Sequence, residues 1–209
     1  MTRRLLVHTR TTDYRHDSIP AALAAVGGLE GFTVDATEDP AALEGDLAPY
    51  AAVVFLCTSG DILTDAGRAA LAAAVESGTG FAGVHSAACT EENWSWYTDE
   101  LQRSRFAGHP PFGTDVVLVE DRAHPATAHL PAEWTWSDEW YDFDPVPDPA
   151  EVSVLLRGGE DRHPLAWHHR QGRGRVFFTA LGHDAAAYAD PAFLAHLRGG
   201  LEWVCEGRR

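Results

Sequence analysis

The segment Gly83-Val84-His85-Ser86-Ala87 follows directly on the apolar run Gly80-Phe81-Ala82. A short strand, a sharp turn through small residues and then a helix is the layout of a nucleophile elbow, which lifts one side chain above the carboxyl edge of a parallel sheet. Elbow enzymes carry Ser or Cys at the tip, whereas this chain carries His85. An imidazole there suits proton transfer or metal binding better than covalent acyl chemistry. Four of the eleven histidines, His16, His85, His109 and His183, fall in turns or where predicted strands give way to loops. In an open parallel sheet ligands bind beyond the carboxyl ends of the strands, so these turns can converge on one edge. The main carboxylate candidate is Glu139, in Asp138-Glu139-Trp140-Tyr141. Acids set between Trp134, Trp136 and Trp140 are expected to be partly desolvated, which raises a carboxyl pKa and favours a general acid or base. The aromatic faces also suit stacking on sugar rings. The alternative for this segment is a surface loop whose tryptophans complete the core.

The remaining candidates are weaker. His168 and His169 are neighbours on a predicted strand and must face opposite sides, so one of them can reach the site. His124, His129, His163 and His196 read as structural or solvated. No His-Glu-x-x-His motif occurs. A divalent metal such as zinc is compatible with ligands drawn from His16, His85, His109, His183 and Glu139, because catalytic zinc ligands are often scattered in sequence. Cys57, Cys89 and Cys205 are widely spaced and form no Cys-x-x-Cys pair. All three are expected to be dispensable, with Cys89 a buried, inert thiol.

The elements that must position these groups alternate through the first half. Strands are predicted over Leu5 to Thr9, Phe32 to Ala36, Tyr50 to Cys57 and Phe81 to Val84. The run Tyr50 to Cys57 is apolar throughout, as in a strand buried on both faces. Helices are predicted from Ser18, with Pro20 in the first turn, to about Val26, and over Thr64 to Ser77. This β-α-β-α-β order predicts a parallel, doubly wound sheet. In the second half, strands are predicted over Phe112 to Glu120 and Val152 to Arg157. A hairpin joins Leu165 to His169 with Arg175 to Ala180, and a last helix covers Pro191 to Val204. With no linker, repeat or low-complexity tract, residues 1–209 read as one domain.

Composition narrows the partners. The 209-residue chain carries 31 acidic and 16 basic residues, for a net charge of −15. That field repels phosphate backbones and anionic lipid, so nucleic acid and membranes are excluded in favour of a neutral or cationic small molecule. All sixteen basic residues are Arg. Schiff-base and P-loop lysine chemistry are therefore absent. The thiol pattern fits a reducing compartment. Met1 to His8 reads as the start of a first strand rather than a signal peptide, so a cytoplasmic protein is expected.

Five segments, in order, carry a family resemblance. They are Tyr14-Arg15-His16-Asp17-Ser18-Ile19, Gly83-Val84-His85-Ser86-Ala87, Ala107-Gly108-His109-Pro110, Asp138-Glu139-Trp140-Tyr141, and Gly174 to Phe178 with Ala180-Leu181-Gly182-His183. Together they resemble the ThuA-like (trehalose-utilisation) family, from about Leu5 to Trp203. The resemblance implies a class I glutamine amidotransferase-like fold, that is, a flavodoxin-like three-layer α/β/α sandwich with a mostly parallel doubly wound sheet. It also implies a carbohydrate setting, notably disaccharide breakdown through 3-keto intermediates. Amidotransferases of this fold carry Cys at the elbow and a late His-x-Glu. Here His85 holds the elbow and His183 is followed by Asp184 and Ala185, which argues against glutamine hydrolysis.

The expected catalytic residues are therefore His85, Glu139 and His183, with His16, His109, Trp140, Tyr141 and His168 binding a small-molecule carbohydrate. The competing reading is a non-catalytic sugar-binding or regulatory module that kept the pocket and lost the triad. A homo-oligomer is compatible with either.

Overall fold

The computed structural model describes residues 2–208. In chain order the elements are β1 (Arg3–His8), α1 (Ile19–Gly27), β2 (Phe32–Thr37), β3 (Ala52–Leu56), α2 (Asp65–Glu76), β4 (Gly80–Val84) and β5 (Phe106–Gly108). Then come β6 (Gly113–Val119), β7 (Glu133–Asp138), β8 (Asp142–Phe143), β9 (Ser153–Gly158), β10 (His163–Gln171), β11 (Gly174–Thr179) and α3 (Pro191–Cys205). A nine-stranded sheet has the order β2-β1-β3-β4-β11-β10-β9-β6-β7, and β5 pairs with β8 apart from it. The fold is an α/β sandwich built on this mostly parallel sheet.

The five strands β2, β1, β3, β4 and β11 are mutually parallel. Every residue of β3 and β4 is buried, as continuous apolar runs in a sheet covered on both faces require. Phe177 of β11 packs against His196 of α3, while the next residue, Phe178, stacks on Trp167 and meets Tyr97 and Phe81 on the other face. From β11 outward each pairing is antiparallel, through β10, β9, β6 and β7. Two reversals restore direction at β9, and two more restore it at β7. Seven of the nine strands therefore point the same way, with β10 and β6 reversed.

That geometry has one consequence for the site. The carboxyl end of β7 lies on the same edge as those of β1, β4 and β11. Alternation over Glu133-Trp134-Thr135-Trp136-Ser137-Asp138 buries every second residue. Trp136 stacks on Phe193 of α3, at 5.4 Å between ring centres, and so ties the edge strand β7 to that helix. The Trp-rich segment is thus a strand, where the sequence had suggested a site segment or surface loop. A π-helical turn over Trp96–Gln102 was also not foreseen.

Three free cysteines are present among the described residues, and no helix there is long and apolar enough to cross a membrane. Buried neutral histidines tie the fold to pH. His196 is fully buried, with Nδ1 donating to the Ala126 carbonyl at 2.9 Å and Nε2 accepting from Thr179 Oγ1 at 3.1 Å. Burial pushes its pKa down from 6.5 to about 4, and those of His8 and His124 to about 4 and about 3. Between those values and 6.5 the unfolded chain binds protons that the folded chain refuses. The stability these rings contribute is complete above pH 6.5 and is lost as pH falls towards 4. Each is expected to remove up to about 1.4 kcal/mol per pH unit in that window. Melting temperatures measured from pH 7 to 4.5 should fall steadily, and a flat profile would contradict this assignment.

Candidate active site

His85 begins where β4 ends. It opens a 3-10 turn, His85–Cys89, with a left-handed backbone (φ 54), and its side chain is wholly buried. A left-handed non-glycine residue carries strain that surrounding packing must hold. Gly83 contributes to that packing, because the Phe178 ring occupies the space a Cβ there would need. His85 Nδ1 donates to the Ala180 carbonyl at 2.7 Å. A carbonyl only accepts, so this bond places the proton on Nδ1 and leaves the Nε2 lone pair facing inward. Around that lone pair lie His16 Nε2 at 3.0 Å, the Tyr141 hydroxyl at 3.1 Å and Glu139 Oε2 at 3.6 Å. His16 comes from the loop after β1, and its Nδ1 is 3.2 Å from Ser86 Oγ.

The other half of the site is held by Asp138, the fully buried last residue of β7. Its carboxylate accepts from Trp136 Nε1 (2.9 Å) and from the backbone N–H groups of Glu139 (3.0 Å), Gly182 (2.7 Å) and His183 (3.1 Å). One side chain thereby ties together the backbones that carry Glu139 and His183. Gly182 permits the turn, with φ +117 and the Tyr188 hydroxyl where a side chain would go. Burial pushes the Asp138 carboxyl above the ordinary range, and the four donors oppose that push. It is Asp138 that the indole of Trp136 encloses, while Glu139 keeps 14 % of its side chain exposed.

Glu139 Oε2 lies 3.0 Å from His183 Nδ1, 3.6 Å from His85 Nε2 and 3.7 Å from His109 Nε2. The contact with His183 lacks hydrogen-bond alignment, so that buried nitrogen has no hydrogen-bond partner. Burial first, and then the neighbouring imidazoles of His183 and His109, push the His16 pKa down to about 4. His85 is pushed well below 6.5 chiefly by burial and then by His16. Both rings are neutral at pH 7 and offer lone pairs rather than charge. The donor atoms of His16, His85, Glu139 and His183 all lie within 4.8 Å of one another, a set able to hold a metal ion.

Beside this cluster opens a cavity of about 430 Å³, within the ~300–1,000 Å³ span of small-molecule sites. His16, His109, Glu139 and Tyr141 line it, together with Phe106, Tyr14, Cys89, Ser86, Asp13 and Glu92. His183 faces a second cleft of about 230 Å³ on the other side of Tyr14 and His16.

The structure thus gathers His16, His85, His109, Glu139, Tyr141 and His183 at one sheet edge. Two expected binding residues lie elsewhere. Trp140 turns away from the cavity to donate to the Gly113 carbonyl at 3.0 Å and pack over Gly158. His168 sits on reversed β10, opposite Phe177 in mid-sheet, stacks on His124 and meets Trp203 edge-on. His169 points the other way, to the Leu101 carbonyl at 2.8 Å, so neither member of the pair reaches the site. His85 lies beneath the cavity wall rather than in the open space, whereas Glu139, His16 and His109 line it. Sequence reasoning missed Asp138 as the clamp and Ser86 as the His16 partner, although both lie inside motifs already singled out. Phe106 and Glu92 carry no local signal.

Cys89 is on the cavity wall, but burial pushes its thiol up to about 12. Cys89→Ser is therefore expected to retain ligand-induced thermal stabilisation in full. Loss of that stabilisation in a folded variant would give the thiol a role.

The sequence pattern of the ThuA family, described as trehalose utilisation, matches residues 4–204. No curated protein matches the chain. Among solved structures, a ThuA-like protein from Parabacteroides merdae superposes with a TM-score of 0.83 at 20% identity, over 99% of this chain and 91% of that one. A ThuA-like protein from Bacteroides uniformis gives 0.79 at 24% identity, over 97% and 91%. PurLQS from Thermotoga maritima gives 0.62 at 15% identity, over 97% and 99%. At these identities the likeness is one of fold.

Proposed function

Since this chain belongs to the ThuA family, trehalose utilisation, we propose that its cavity receives a carbohydrate, a 3-keto-glycoside, and acts on it by proton transfer in the cytoplasm. The observation that carries the reading is Glu139. Its Oε2 stands among three imidazoles, 3.0 to 3.7 Å away, on the wall of an aromatic-lined cavity. A ketone at C3 acidifies the C2–H of a sugar ring. Glu139 takes that proton, and its carboxylate becomes the carboxylic acid. The electron pair passes into the enolate, whose oxygen lies on the imidazole side. The enolate then expels the aglycone from C1, which leaves as an alcohol with a proton from His109. Water can add to the resulting ene-one to complete hydrolysis. Tyr14, Phe106 and Tyr141 supply faces for the ring, and Asp13 and Glu92 accept from its hydroxyls.

Glutamine hydrolysis lacks its nucleophile, because an imidazole stands at the elbow tip and the nearest thiol is pushed up to about 12. The test is to incubate purified protein with 3-keto-disaccharides and measure release of the free sugar. Sugar release above the uncatalysed rate is expected. Thermal stabilisation by the sugar without release would favour the non-catalytic binding module instead.

A further inference from the structure

Within the buried cluster one lone pair is contested and one nitrogen is unpartnered. His85 Nδ1 has spent its proton on Ala180, so Nε2 is a lone pair only. Two groups approach that single lone pair, His16 Nε2 at 3.0 Å and the Tyr141 hydroxyl at 3.1 Å. His183 Nδ1 is buried with no hydrogen-bond partner, although a carboxylate oxygen lies 3.0 Å away. Three imidazole nitrogens and one carboxylate oxygen therefore crowd together, with His183 Nδ1 left without a hydrogen-bond partner. The rings are also held from behind. Ala180 fixes His85, Ser86 fixes His16, and Asp138 fixes the backbone of His183 and Glu139. Outer partners of this kind orient metal-ligating histidines and set their tautomers.

We propose that His16, His85 and His183 bind one divalent cation of the zinc class, with Glu139 closing the fourth position until substrate arrives. Neighbouring ligands of a tetrahedral zinc with Zn–N of ~2.0–2.1 Å stand ~3.3 Å apart. Three of the six separations are 3.0 Å for His16–His85, 3.0 Å for His183–Glu139 and 3.6 Å for His85–Glu139, and all four donor atoms lie within 4.8 Å of one another. Nitrogen-rich donors of this type favour zinc and its first-row neighbours over calcium or magnesium. Two members of the four, His16 and Glu139, also line the larger cavity, and Glu139 is the carboxylate of the set. The inference rests on the sugar reading only in the identity of the incoming group. A substrate carbonyl oxygen takes the fourth position, and the carboxylate it displaces is left beside the acidic C–H as the base. The cation polarises that carbonyl as a Lewis acid and holds the enolate oxygen.

The experiment uses the untagged full-length protein, stripped with a chelator and reloaded with Zn²⁺ or Co²⁺ in the absence of sugar. About one ion per chain is expected by elemental analysis, with a melting temperature raised by several degrees on reloading. The Co²⁺ form is expected to show visible bands of four-coordinate cobalt. His85→Ala and His183→Ala should each hold less than about a tenth of an equivalent. Glu139→Gln should keep the ion on its three imidazoles, and His168→Ala should match the parent. Circular dichroism of the stripped variants separates lost ligation from lost folding. Failure of the stripped parent to take up either ion, or equal uptake by His85→Ala and His168→Ala, would overturn the proposal. Because metal is read without sugar, absent turnover with full loading counts against the sugar reading alone, and turnover by a metal-free chain counts against the cation alone.

Discussion

Glu139→Gln is expected to lower turnover of a 3-keto-glycoside on the order of 10²–10⁴-fold while leaving sugar affinity nearly unchanged. Glutamine keeps the size of the side chain and its place on the cavity wall but cannot take a proton from carbon. Glu139 is tied to the fold through its backbone N–H, which donates to Asp138, so the substitution leaves the clamp intact. The effect should fall on kcat rather than KM, because the interaction lost is made during proton transfer. Steady-state rates together with sugar-dependent thermal shifts test this. A variant with parental kcat would remove Glu139 from the chemistry and return the site to an open question centred on His16 and His109.

The second large effect belongs to a residue that never meets substrate. Asp138→Asn replaces a four-acceptor carboxylate with an amide whose NH2 must face at least one of the N–H groups of Trp136, Glu139, Gly182 and His183. Breaking a buried, charged hydrogen-bond network of this kind costs about 3–5 kcal/mol. For a chain of this length that corresponds to a melting temperature lower by roughly 10 °C. Turnover should also fall, since the backbones carrying Glu139 and His183 lose their common anchor. The readout that separates positioning from bulk destabilisation is the pH profile at a temperature well below melting. A displaced base shifts the profile of kcat, whereas simple loss of folded protein only scales it. A variant as stable and as active as the parent would show that the four bonds are not needed.

Much of this arrangement is legible in the residues. The run Tyr50 to Cys57 announces a strand buried on both faces, and β3 is that strand. Gly83-Val84-His85 announces a sharp turn, and His85 has the left-handed backbone such a turn demands. Other features depend on interactions between distant segments, which local pattern does not encode. Trp134 and Trp136 alternate with polar residues as a strand should, yet which face they cover depends on α3, far along the chain. His168 and His169 read as opposite faces of one strand, of which one could reach the site. Strand direction was the missing information, since β10 runs against β11 and its later residues move away from the functional edge. Cavity residues such as Phe106 and Glu92 are recruited by packing alone.

The insertion of β11 between β4 and β10 also sets when the site can come into being. His16 and His85 belong to the first half of the chain and Glu139 and His183 to the second, so neither half holds more than two of the four. During synthesis β4 emerges early and must wait for β11, its parallel neighbour from near the carboxyl end, before the sheet is continuous. Pairing across such separation pays loop-closure entropy first and places the chain among slower folders. Partly folded chains, and fragments cut in the exposed loops of the middle third, would display an apolar sheet edge but no assembled cluster. Binding at this cluster therefore acts as a reporter of completed folding.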